Sequence, residues 1–482
     1  MYFCRQNGRD GYVSGFPDFV GINKFQISSF MFQVSSFRFP RLCRDKQVRK
    51  CRAIVLLFGC LVAEMCGLAI EDGGLHAEVR TVRLRMLSDA QAYANGESYT
   101  IARPFLVLEG GVVDGTNPEN TLEISFDEMS HDVHFYTYTV VHLNADGSES
   151  GLTSSEYLRG FTTMDITDYQ HSINTQRDYT HYRFVFPNED MQLTASGQYA
   201  LCVYEDGDRD KQVAQLLFAV VEPRVGISAN IHSKTIKELN GRYQQVDVDV
   251  QTAALNLRDP NEIKLVVKQN GRTDNQAVIA QPTFVETGRL RYMNNPNLVF
   301  EGGNEYHHFD AYSAYYAGTG IDRIGYDNRD YHALLFPDVV REGVYIHEYD
   351  VDGQYRVNAE RTTDADTEAE YMWVHWRLER EQPWFDGMVY VGGEVFDNQL
   401  NARSRMLYDS EAKCYYLVAL VKQGGYDYQY WFVQKGSQTG STLPTDGSYW
   451  QTENEYTIYV YYRPFGARGD RLVGIQTLHS AQ

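Results

Sequence analysis

Adjacent His307 and His308, with Glu305 and Asp310 beside them, are by type the residues best suited to hold a divalent metal. Their spacing works against it. In an extended segment successive side chains point to opposite faces, so the two imidazoles cannot grip one ion together, and Glu305 with His307 would need a neighbouring strand to complete a site. His131 and His134 come without an HExxH helix, a calcium loop or a nucleophile elbow. The glycine pairs at 110, 302, 392 and 424 complete no phosphate-binding loop ahead of a helix. Carboxylates are too numerous for one pair to stand out as acid and base. The expectation is a chain with no catalytic residue, metal or cofactor. Arg468, Gly469 and Asp470 spell an integrin-type tripeptide, a string short enough to arise by chance.

The chemistry of contact has better candidates. Tyr426, Tyr428 and Tyr430 fall on one face of a strand, where rings can stack on sugars or pack against a neighbouring strand, and packing is the expected use. Residues 151–178 separate two strands by far more than the usual two to five residues. Their Tyr157, Phe161 and Tyr169 argue against disorder and suit interface anchors, or equally rings that hold the loop to its own core.

The elements that must carry these residues are strands. Runs such as TLEISF, VHFYTYTVVHL, THYRFVFP, GQYALCVYE and QVAQLLFAVVE alternate with turn signals, and 36 tyrosines favour pleated, half-buried surfaces over helices. Asp146-Gly147 ends one run, and Asp206-Gly207, Asn270-Gly271 and Asp352-Gly353 sit where turns belong, because glycine accepts positive φ cheaply. The expected fold is all-β, three tandem sandwiches of the immunoglobulin or fibronectin kind following a signal peptide. Their bounds are 70–222, 223–365 (closed by the polar stretch 361–370) and 366–482, with a leader and signal peptide over 1–69. A length of 482 residues suits two to four domains.

Charge excludes some partners. The formal net charge is −20, while the first 52 residues hold ten Lys or Arg against three Asp or Glu. The acidity lies beyond them, and it repels phosphate backbones and anionic lipid, so nucleic-acid binding is not expected.

Arg49, Lys50 and Arg52 precede the apolar run 53–65, and Gly67 and Ala69 stand at −3 and −1 of a cleavage site, the layout of a secretory signal. The run is interrupted by Glu64 and is too short for a membrane span. The unusual polar residues ahead of it point to Met31 or a later residue as the true start, and a second route would acylate Cys60. Cys4, Cys43, Cys51, Cys60 and Cys66 precede the cut, which leaves Cys202 and Cys414, expected as two separate buried thiols.

Several segments together carry a resemblance: SEYLRGF at 155–161; Ile166, Asp168, Tyr169, Ser172, Asn174 and Thr175; HYRFVFPNEDM and SGQYALCVYED; then QNGRTDN and EGGNEYHHFD at 301–310. The chain resembles the plug-protein family of the type IX secretion system, formerly a domain of unknown function, over nearly all of residues 75–482. That resemblance implies a non-enzymatic periplasmic subunit that binds the outer-membrane translocon barrel and keeps it shut while no cargo passes. It would be monomeric within a larger complex. Tyr157, Phe161, Asp168, Tyr169, Asn304, Glu305, Phe309 and Asp310 are the expected contacts. Residues 366–482 are also similar to carbohydrate-binding sandwiches of glycogen-acting enzymes, through VYVGGEVF, Tyr415, Leu420 and YDYQYWF, but Asp397, Asn398 and Gln399 stand where a tryptophan is usual. The alternative is therefore an exported glycan-binding sandwich without catalytic activity.

Overall fold

The computed structural model describes residues 78–94 and 103–480, all within one compact unit, Glu71–Gln482. The expected signal peptide, its cleavage site and Cys60 lie outside the described residues. Among the described residues thirty strands stand against three short helices, Leu87–Ala94, Ser154–Tyr157 and Ala365–Glu368, so the chain is all-β. Two pairs of positions show why the strands turn where the sequence says. Asp206-Gly207 and Asn270-Gly271 have positive φ at both residues, the backbone that primed hairpin turns demand, and each joins antiparallel partners. Asp352-Gly353 has the same backbone but makes no hairpin, because Tyr355–Val357 pairs with the distant Gly424–Gln434.

The strands enclose three large cores, each between two sheets. In the first, Val79–Met86, Leu122–Glu128, Thr180–Phe186 and Asp168–His171 face a sheet ordered Phe105–Val107, Gln212–Val221, Gly197–Glu205, Tyr136–Leu143 and Thr163–Ile166. Alternation puts Ile124 and Phe126 from one sheet against Tyr136, Tyr138 and Leu201 from the other. Phe126 stacks on Tyr182 at 5.1 Å between centroids.

The second core lies between a sheet built on Gly226–His232, Tyr243–Gln251, Arg289–Tyr292 and Val299–Glu301 and one ordered Ala277–Ile279, Ile263–Gln269, Glu455–Tyr462 and Arg471–His479. The third is built on Gly424–Gln434, which pairs with His307–Asp310, Tyr355–Val357 and Gly387–Gly392. Facing it are Ile321–Tyr326, Tyr331–Leu335, Tyr371–Glu379 and Cys414–Lys422.

These pairings cross the division expected at 365/366. Ile263–Gln269 bonds along its length to Glu455–Tyr462, and His307–Asp310 bonds to Gly424–Gln434. The third sandwich is an insertion: the chain leaves the second after Val299–Glu301, builds the third, and returns at Glu455. The last two sandwiches are nested, not tandem. Hairpin signals are local, whereas these ladders join segments more than a hundred residues apart and leave no local mark. The polar stretch 361–370 is no linker either. Ala365 and Ala369 pack with Val357 and Ala359, and its acids reach the first sandwich. Cys202 and Cys414 are buried free thiols in the first and third sandwiches.

Candidate functional site

The long segment 151–178 is ordered by its own chemistry. Thr153 starts the helix Ser154–Tyr157, and the Glu156 carboxylate accepts from the Thr153 amide at 2.7 Å, one half of a capping box. Tyr157 then turns inward, its hydroxyl donating to the Val140 carbonyl at 3.2 Å and its ring beside Tyr199. Gly160, at φ 99°, lets the chain pass Asp190, whose carbonyl oxygen a Cβ would meet at 2.0 Å. Thr163–Ile166 forms the edge of one sheet and Asp168–His171 the edge of the other. The segment is a strand that switches sheets, closing one side of the first sandwich.

Its outward residues are Phe161, 60% exposed, and Tyr169, 41% exposed beside Tyr182. Asp168 is an exposed partner of Arg183 at 3.1 Å. Residues 172–179 then dock on the inserted sandwich. The Ile173 amide donates to the Thr367 carbonyl at 2.9 Å, Arg177 forks onto Asp330 at 2.8 and 2.9 Å, and the Tyr179 hydroxyl donates to the Ala369 carbonyl at 2.9 Å.

Segment 301–310 is mostly interior. Asn304 donates to the Asp446 carbonyl at 2.7 Å, and Phe309 stacks on Tyr426 at 5.2 Å in the third core. Glu305 receives the Tyr345 hydroxyl, and burial pushes its carboxyl above the usual range. The opposite-face reading of the histidines holds, and each is clamped by two aspartates. His307, buried, lies 3.1 Å from Asp338 and 2.8 Å from Asp446, with Arg341 also 3.1 Å from its Nδ1. Half-exposed His308 bonds Asp427 at 2.7 Å and Asp310 at 2.9 Å. Burial pushes the His307 pKa down but Asp338 and Asp446 outweigh it, and the bond to Asp427 leads the rise at His308, so both reach about 9. Among the described residues no group of three or more His, Cys, Asp or Glu could hold a metal ion.

Of the eight expected contacts, then, Phe161, Asp168 and Tyr169 are exposed along segment 151–178, and Asp310 is half-buried elsewhere. Tyr157, Asn304, Glu305 and Phe309 are buried and support structure. The reason is shared: aromatic and amide-rich segments serve packing as readily as recognition, and local sequence does not tell which. Tyr426, Tyr428 and Tyr430 are likewise all buried, the latter two donating to Asp338 at 2.8 and 2.6 Å. Asp470 of the tripeptide is buried at the seam of the first two sandwiches, where it accepts from the Ala145 amide at 2.9 Å and from Arg463 at 2.6 Å.

The most concentrated chemistry is one that sequence reading missed. Where the first and third sandwiches meet, the fully buried Lys422 ammonium lies 2.6 Å from Asp127 and donates to the Asp366 carbonyl at 2.7 Å. Asp127 also accepts from Tyr371 at 2.7 Å and bonds His181 at 2.6 Å. Arg83 reaches the Asp366 carboxylate at 2.6 Å. Burial would raise the Asp127 carboxyl, but Lys422 and His181 outweigh it and hold it below its usual range; Arg83 and neighbouring cations do the same for Asp366. The available signal was a charge inside an apolar strand, as in CYYLVALVK and TLEISFDE. This cluster and the Asp470 seam tie the inserted and first sandwiches, and the first and second, into one body.

Comparison with known proteins adds a relationship. A model described as "Type 9 secretion system plug protein 1st domain" matches residues 112–222, most of the first sandwich. Among solved structures, the crystal structure of a hypothetical protein from Parabacteroides merdae is 37% identical, with a TM-score of 0.78, over 84% of this chain and 97% of that one. No curated protein matches. Among the described residues no helix is long and apolar enough to cross a membrane, which says nothing of strands.

Proposed function

This chain belongs to the type 9 secretion system plug protein family, and from that premise we propose that it is a periplasmic plug, docking on the outer-membrane translocon barrel and closing its inner mouth when no cargo is in transit. A role in type 9 secretion follows from the family; the plug action, the barrel partner and the periplasmic site are the proposal.

The observation that carries it is the cross-bracing. An obstacle must not deform under a passing chain, and here three sandwiches are joined by buried polar contacts: the Lys422–Asp127 ion pair between the first and third, and, between the second and first, Asp470 accepting from the Ala145 amide and Arg463 donating to the Asn144 side chain. A sandwich of roughly 130 residues has a radius of gyration near 14 Å, so about 35 Å across, and can obstruct a wide pore as a rigid body. Blocking needs shape and a docking edge and no turnover. We assign the docking edge to Phe161, Asp168 and Tyr169, the exposed trio on the sheet-switching strand.

The test is purification of the tagged chain from membranes. The barrel should come with it, and replacing Phe161 and Tyr169 by Ser should lose the barrel while the variant stays folded. Retention of the barrel by that variant would remove the edge assignment. Failure of the parent to bring any barrel would remove the plug reading.

A further inference from the structure

Between Asp338–Val339 and Tyr355–Val357 the chain forms a strap outside every sheet. It is tied at both ends: the Arg341 amide donates to the Thr445 carbonyl at 2.9 Å, and the Arg341 guanidinium to the Glu305 carbonyl at 2.6 Å. At the far end Asp350 accepts the Tyr306 amide at 2.6 Å, and the Val351 amide donates to Asp427 at 2.6 Å. Gly343, at φ 123°, bends the chain into the span. From there exposure alternates. Val344 is 85% exposed, Ile346 67% and Glu348 is exposed, while Tyr345 and His347 turn toward Glu305. That is the pattern of a strand resting one face on the protein.

A strand normally spends its backbone on a neighbour. Among the described residues, none bonds the backbone N–H or C=O of Val344, Ile346 or Glu348. In an extended chain these alternate residues aim their amide and carbonyl toward the same edge. The row of side chains on that span reads Val344, Ile346, Glu348, and exposed Glu342 stands just before the bend at Gly343, so two β-branched residues lie between exposed acids. Arg341 offsets Glu348 in part, at 3.7 Å.

We infer that the strap 342–349 is a docking strand for an extended segment of another protein, which adds to it edge to edge. The occupant follows from complementarity. Free backbone groups on alternate residues call for a β-strand; Val344 and Ile346 call for apolar side chains opposite them; Glu342 and Glu348 call for Lys or Arg at the flanks. This surface is separate from the edge assigned to the plug contact and does not depend on that assignment.

The test uses the whole chain and a synthetic peptide, Lys-Thr-Val-Thr-Val-Thr-Lys, whose odd positions match the strap row when antiparallel. Hydrogen exchange should slow at least about tenfold at the amides of Val344, Ile346 and Glu348 when the peptide is added. The same peptide with Glu at both ends should bind more weakly, and the double variant Glu342→Lys, Glu348→Lys should reverse that preference. A peptide N-methylated at alternate amides should not bind. Binding without protection of those three amides, an unreversed charge preference, equal binding of the methylated peptide, or no binding would each overturn the inference.

Discussion

At the scale of residues, the buried charges make the sharpest claims. Lys422 has no exposed side-chain surface, and its removal leaves Asp127 buried with fewer partners. Replacing Lys422 by Met should therefore cost about 3–5 kcal/mol of unfolding free energy, read from urea titration, since a broken buried pair leaves an uncompensated charge. A cost under about 1 kcal/mol would mean that the site behaves like an exposed pair. The clamped histidines set a pH direction. Their folded pKa of about 9 lies above the unfolded value, so their stabilisation is complete below about pH 6.5 and is lost as pH rises through 9. Burial raises Asp350 to about 8 and Asp352 to about 7, which acts in the same sense: stability they contribute below about pH 4 is lost through those values. Imidazole proton shifts should place the His307 midpoint near 9, and Asp446→Asn should lower it.

At the scale of elements, the sheet-switching strand depends on a close pass that only glycine allows. Gly160→Val would put a Cβ 2.0 Å from the Asp190 carbonyl oxygen at a φ that β-branched residues avoid. The pairing of Leu158–Gly160 with Met191–Leu193 should open, detected as faster exchange of the Phe161 amide, which donates to Asp190 at 2.8 Å. The turns were legible in advance, because Asp-Gly and Asn-Gly pairs need no distant partner to favour positive φ. Segment 151–178 was legible only as unusual. That its first half packs inward through Tyr157 and its second half latches Asp330 and Ala369 depends on strands it meets only in the folded chain.

At the scale of the whole molecule, nesting has a consequence that tandem sandwiches would not. Removing residues 455–482 takes two strands from the second sandwich, including the long neighbour of Ile263–Gln269. Limited proteolysis should then open the 226–301 region first and should spare 307–434, whose ladders remain whole; protection of 226–301 would contradict the nested arrangement. The sequence by itself determined the all-β class, the hairpin turns, the separate cysteines and the resemblance to the plug family, because alternation, turn chemistry and short motifs are properties of neighbours along the chain. Only the tertiary structure decided that the third sandwich interrupts the second, that the tyrosine row is core, and that Lys422 and Asp127, 295 residues apart, form one buried pair. Such facts live in contacts between distant segments, and a charge in an apolar strand becomes a lock only when the opposite charge is folded against it.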